Sequence, residues 1–234
     1  ARRENRIEAV SEIILYDRVS GEVRFVLEDA EVGGFDTNGT YIVGGKRDGE
    51  VSVWDYATGE HLQTLSAHSD KISAIAFSKN GEYLLTGSKD KTAVLWSLKT
   101  MSLITKFEGH EGRVTGVAIT PDSDRLVTSA RDDKVRIFDL ASGKIVKVLG
   151  DDDGQELLLG VGNEVLVTYD YKTINQWAID TTGSKLRTTS DAINQSGAAT
   201  NLRACRQSRE IVPVVPFPDP ETIWAPEEFC QPQQ

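Results

Sequence analysis

Residues 67–97, AHSDKISAIAFSKNGEYLLTGSKDKTAVLWS, decide how the chain is read. They hold three short apolar runs, KISAIAFS, YLLTGS and AVLWS, with turn residues such as KNGE between them. Runs this short, rich in β-branched and aromatic residues and bounded by Asn, Gly and Asp, predict strands rather than helices. The pattern returns at 109–139, GHEGRVTGVAITPDSDRLVTSARDDKVRIFD, where RVTGVAIT, RLVTSA and VRIFD stand in the same places around the turn PDSD.

Outward from these two stretches the pattern is periodic. IILYD (13–17), VSVWD (51–55), AVLWS (93–97), VRIFD (135–139) and INQWA (174–178) each end a strand in an aromatic residue. The markers Tyr16, Trp54, Trp96, Phe138 and Trp177 are spaced by 38, 42, 42 and 39 residues. Each is followed by a turn and a further strand, as in YATGEHLQTL and LASGKIVKVL. Four short strands in a period near forty are the signature of a propeller blade. The spacing within the period also repeats. His68 precedes Asp90, and His110 precedes Asp132, by 22 residues; Asp48, Asp90 and Asp132 each precede their aromatic marker by six.

On these residues the chain resembles the WD-repeat β-propeller family. Ala67-His68 and Gly109-His110 stand for the family's Gly-His pair, and Trp54-Asp55, Trp96-Ser97 and Phe138-Asp139 for its Trp-Asp pair. The resemblance implies an all-β fold of four-stranded antiparallel blades, with strands a, b, c and d running from the centre outward. Residues 1–189 are then propeller: a partial blade at 7–27 with only strands c and d, and full blades at about 31–65, 71–107, 113–149 and 155–189. Residues 190–234 are expected to be a degenerate blade or a Pro-rich tail, with TNLRACRQ, REIVPVV and ETIWAP as candidate strands. Six of the seven prolines fall there, so edge-strand material is the most that segment offers. A period near 42 does not divide 234 residues into whole blades. With Ala1 first and Met101 the sole methionine, the expectation is a piece of a longer protein with open edges that favour association.

The family ties each blade with a hydrogen-bonded tetrad of His, Ser or Thr, Asp and Trp. Carried onto this chain, the full set is His68, Thr86, Asp90 and Trp96. Partial sets are His110, Thr128 and Asp132 with Phe138, which has no N–H to donate; Asp48 and Trp54 with Gly44 at the hydroxyl position; and Thr168, Asp170 and Trp177 without a histidine. A His, a hydroxyl and a carboxylate are also the ingredients of a nucleophilic triad. At a spacing set by blade geometry they are expected to serve structure, and no catalytic residue is assigned. His61, at an alternate position on a d strand, is expected at the surface.

The sequence carries no phosphate loop, nucleophile elbow or metal-spaced His/Cys cluster, so neither cofactor nor metal is expected. Asp151-Asp152-Asp153 could offer oxygens to calcium but read more simply as a solvated acidic loop. More informative are the b–c turns, where Arg47, Lys89 and Arg131 precede the turn Asp and Lys91, Lys134 and Lys172 follow it. They form a basic arc on one face of a chain of net charge −10. Either each cation is neutralised by its adjacent Asp, or the arc receives an acidic or phosphorylated peptide.

Composition agrees with a globular chain: 39% hydrophobic and 26% charged. No apolar run is long enough to span a bilayer, and ARRENRIEAVSEI lacks the apolar core of a secretory signal. The isolated Cys205 and Cys230 point to a reducing, intracellular compartment, cytoplasmic or nuclear. Acidity argues against nucleic acid as a partner. The resemblance therefore implies a non-catalytic scaffold for other proteins or peptides within a larger complex. The alternatives are a regulatory propeller attached to a signalling ATPase, and an enzyme using the channel between blades, which KISAIAFS and RVTGVAIT do not equip with titratable groups.

Overall fold

A computed structural model describes residues 12–17, 19–150, 157–162, 165–169, 173–179, 185–190 and 212–213. All regular structure among them is β. A two-stranded sheet of β1 (Glu12–Tyr16) and β2 (Val23–Glu28) comes first. Three four-stranded antiparallel sheets follow in simple meander order. They are β3 (Ala30–Phe35), β4 (Tyr41–Lys46), β5 (Glu50–Asp55) and β6 (His61–Ser66); then β7 (Ile72–Phe77), β8 (Tyr83–Ser88), β9 (Ala93–Ser97) and β10 (Ser102–Phe107); then β11 (Val114–Ile119), β12 (Arg125–Ala130), β13 (Val135–Asp139) and β14 (Ile145–Leu149). The last sheet holds β15 (Leu157–Val161), β16 (Val165–Tyr169), β17 (Thr173–Ala178) and β18 (Lys185–Ser190), with β19 (Val212–Pro213) added along β15. Consecutive sheets stack through their first strands, β3 on β7, β7 on β11 and β11 on β15, while β1 lies against β3.

Residues 1–11 and 151–156, Asp170, Lys172 and the tail apart from β19 lie outside the described residues, and with them the acidic run, both cysteines and the candidate strand around Trp224. In β19, Pro213 faces Gly160 and Val212 faces Val161. The proline thus sits in an edge strand, where its missing N–H breaks no ladder on the outer side.

Burial explains why these sequences form this stack. Alternate residues of a strand point to opposite faces of its sheet. In the second and third strands both faces are covered, so YLLTGS and RLVTSA are buried almost throughout. The outermost strands have no further strand beyond them, and SLITKF is largely exposed, with Phe107 its one buried residue. Each apolar cluster lies between two sheets. Leu85, Leu95 and Phe107 of one meet Val117, Leu126 and Phe138 of the next, and Val43, Val51 and Val53 meet Ile72, Leu84 and Trp96 one sheet earlier.

The stack is tight enough to dictate a glycine. A Cβ on Gly87 would lie 2.6 Å from Val114 Cγ1 and 2.8 Å from Val117 Cγ1 of the following sheet. Gly87→Ala is therefore expected to lower stability by about 1–3 kcal/mol through overpacking, measured as a lower denaturant midpoint at unchanged m-value. A midpoint equal to wild type would mean that the sheets part without strain.

Candidate functional site

Because the strands are antiparallel, the turn from second to third strand and the connection from one sheet to the next lie at the same end of the stack. The two are bonded together: Lys89 N donates to Lys71 O and Arg131 N to Arg113 O, both at 2.9 Å. A Cβ on Gly112 would lie 2.4 Å from the Arg131 carbonyl carbon, so the connection is pressed onto the turn.

In the sheet β7–β10 this end is tied by four side chains in series. Trp96 Nε1–H donates to Thr86 Oγ1 at 2.9 Å, the Thr86 hydroxyl pairs with His68 Nε2 at 2.9 Å, and His68 Nδ1 pairs with Asp90 Oδ2 at 3.0 Å. A carboxylate can only accept, so Nδ1 carries the proton and Nε2 accepts from threonine. Ser69 N donates to the same Asp90 oxygen, and the Thr92 N–H and hydroxyl donate to the other. Burial is the largest influence on His68 and holds its pKa below the usual histidine value, against the pull of Asp90. For Asp90 burial acts upward, but the Thr92 hydroxyl, the Ser69 amide and His68 outweigh it, and the carboxyl is held below its ordinary value.

The next sheet varies the set. His110 Nε2 pairs with Thr128 Oγ1 at 2.7 Å, and His110 Nδ1 with Asp132 Oδ2 at 3.0 Å. Phe138 has no donor for Thr128 and instead stacks edge-on with Phe107, centroids 4.9 Å apart. Arg136, in the place of Val94, sends its guanidinium to Asp132 Oδ2 at 2.8 Å and lies against His110. Burial lowers the His110 pKa, and Arg136 adds to that effect. Burial likewise raises Asp132, but the Glu111 amide, His110 and Arg136 prevail and its pKa falls.

In the sheet β3–β6, Gly44 leaves its space to the indole: a Cβ there would lie 3.0 Å from Trp54 Cζ3. Asp48 only receives Glu50 N. In the last described sheet Trp177 Nε1 donates to Thr168 Oγ1 at 2.8 Å. His61 is exposed, edge-on to Trp54 and bonded to Thr64. As a nucleophile Thr86 would be unreachable, since none of its surface is exposed.

The inward carboxylates decide what the basic residues meet. Asp90 and Asp132 face their own sheets, so neither pairs with the Lys89, Lys91 or Arg131 beside it. Arg47 pairs with Glu31 through Nε at 2.8 Å and Nη2 at 2.6 Å, and Lys71 holds the other Glu31 oxygen. Lys134 Nζ reaches Gly150 O at 3.2 Å. Among the described residues Lys89, Lys91, Arg113 and Arg131 form no ion pair. Glu31, Arg113 and Arg136 escaped the sequence reading. For Arg113 the signal was its place 42 residues after Lys71; for Arg136 and Glu31 nothing local gives one.

The family described as WD domain, G-beta repeat matches the chain twice, at residues 59–97 and 101–139. Those two stretches are WD repeats. Each match begins just before the outer strand of one sheet and ends in the third strand of the next, so a WD repeat in sequence is one strand out of phase with a blade. Among solved structures, that of U3-55K superposes with a TM-score of 0.61 at 21% identity, covering 68% of this chain and 50% of its own. The crystal structure of RRP9 WD40 repeats gives 0.60 at 22%, covering 66% and 49%. Such identities carry the fold alone, and the chain spans about half the length of these structures. No curated protein matches the sequence. The four-stranded sheets share the fold of WD blades, and among the described residues no helix is long and apolar enough to cross a membrane.

The two buried histidines predict a pH dependence. A histidine whose pKa is lower folded than unfolded gives its full stability above about pH 6.5 and loses it as the pH falls through the folded value. Asp90 and Asp132, also lowered on folding, add a second loss below about pH 4. The melting temperature should therefore drop between about pH 7.5 and about pH 5.5, and His68→Gln with His110→Gln should flatten that slope. Equal slopes in variant and wild type would contradict the assignment.

Proposed function

We propose that the chain is a non-catalytic interaction scaffold of a larger intracellular complex, and that it receives acidic protein partners at the blade end formed by the b–c turns. One observation carries this reading: among the described residues Lys89, Lys91 and Arg131 form no ion pair, on a chain of net charge −10, because the adjacent Asp side chains are bonded inward. Cations at repeated positions on a rigid stack offer an acidic ligand several fixed contacts at once, which favours rapid, selective encounter. WD repeats commonly serve as platforms for proteins, and the buried networks around His68 and His110 give the turns the rigidity such a platform needs.

The test is charge reversal at Lys89, Lys91 and Arg131 in the full chain, followed by quantitative mass spectrometry of what co-purifies. A variant that melts like wild type should lose a defined subset of partners. Retention of every partner at wild-type abundance would remove the reading.

A further inference from the structure

The blades repeat, and one of them carries its own ligand. Glu31 is the extra residue of the β-bulge in β3, between Ala30 opposite Lys46 and Val32 opposite Gly45. Its carboxylate bridges Arg47, on the turn of its own blade, and Lys71, at the start of the next. Moved on by 42 residues, these three positions are Ser73, Lys89 and Arg113. The register agrees, since Ser73 is the extra residue between Ile72 opposite Ser88 and Ala74 opposite Gly87. Ser73 also points the same way as Glu31: its hydroxyl lies 3.1 Å from Gly87 O, just before the turn, and 2.6 Å from Val114 O, beside Arg113. The two cations of the bridge are thus conserved in charge one blade on, while the carboxylate between them is replaced by a short hydroxyl already engaged by backbone. Among the described residues Lys89 and Arg113 form no ion pair, and both remain partly exposed.

We propose that the gap between Lys89 and Arg113 receives a glutamate or aspartate side chain of an acidic partner peptide, which takes the place that Glu31 fills one blade earlier. The ligand chemistry is read from the molecule itself. In blade one a carboxylate is held between an Arg fork and an ammonium, and in blade two the equivalent positions carry a Lys and an Arg that, among the described residues, pair with no acid. Thr115 holds the corresponding place one blade further, beside Arg131, and bonds Ser129 at 3.2 Å. This inference rests on the reading of the basic face as an acidic-partner surface and narrows it to one pair of cations and one serine.

The test uses the full chain and a fluorescein-labelled peptide of consecutive glutamates, read by fluorescence anisotropy at low salt, with the glutamine peptide as the uncharged control. Wild type should bind the glutamate peptide and not the glutamine one. Ser73→Glu, which builds the missing internal carboxylate, should weaken binding by about tenfold, while Ser73→Ala leaves it unchanged. Glu31→Ser should open a second site at Arg47 and Lys71 and raise the bound stoichiometry. If Ser73→Glu does not fold, Arg113→Gln decides instead and should produce a similar loss. Wild-type affinity in folded Ser73→Glu and Arg113→Gln overturns the proposal, as does binding of a phosphoserine peptide without binding of the glutamate one. Binding that depends on Lys91 and Arg131 but not on Ser73 and Arg113 would overturn this site while leaving the broader reading of the face intact.

Discussion

Every sheet in the stack has two apolar faces, and only the neighbouring sheets can cover them. The second and third strands are buried on both sides, so a single four-stranded unit would expose about as much apolar surface as it hides. Stability therefore resides between blades. The clusters joining Leu85 and Leu95 to Val117 and Leu126, and Val43 and Val53 to Leu84, are the same contact repeated. The closeness of that contact removes the side chain at position 87, and it brings the start of each blade against the turn of the one before.

From this stacking follows the electrostatics of one end. The connection between blades must dock on the preceding turn, and its backbone amides and histidine need acceptors. Asp90 and Asp132 turn inward to supply them. The neighbouring cations are left facing outward, so charges adjacent in sequence do not neutralise one another in space. Where an acid does answer them, as Glu31 answers Arg47 and Lys71, it comes from the bulge of the innermost strand.

Much of this was legible in the sequence. Strand positions follow from short β-branched runs between Asn-, Gly- and Asp-bearing turns, which are local signals. The His–Thr–Asp–Trp set was legible too, because its members recur at fixed offsets and each has a definite donor or acceptor to satisfy. Less visible were Arg136, which enters the His110–Asp132 pair from a position that is Val94 one blade earlier, and Glu31, whose bonds run to residues 16 and 40 places away. The expected alternative of cations neutralised by the adjacent Asp did not foresee which way the carboxylates would turn.

By itself, then, the sequence determined the strands, their grouping in fours and the residues able to form each internal network, since periodicity and turn chemistry act over a few residues. Only the tertiary structure decided which charges meet. An ion pair is set by where side chains distant in sequence come together, as when Glu31 meets Arg47 on its own blade and Lys71 on the next, and that is fixed by strand register and by how the sheets stack.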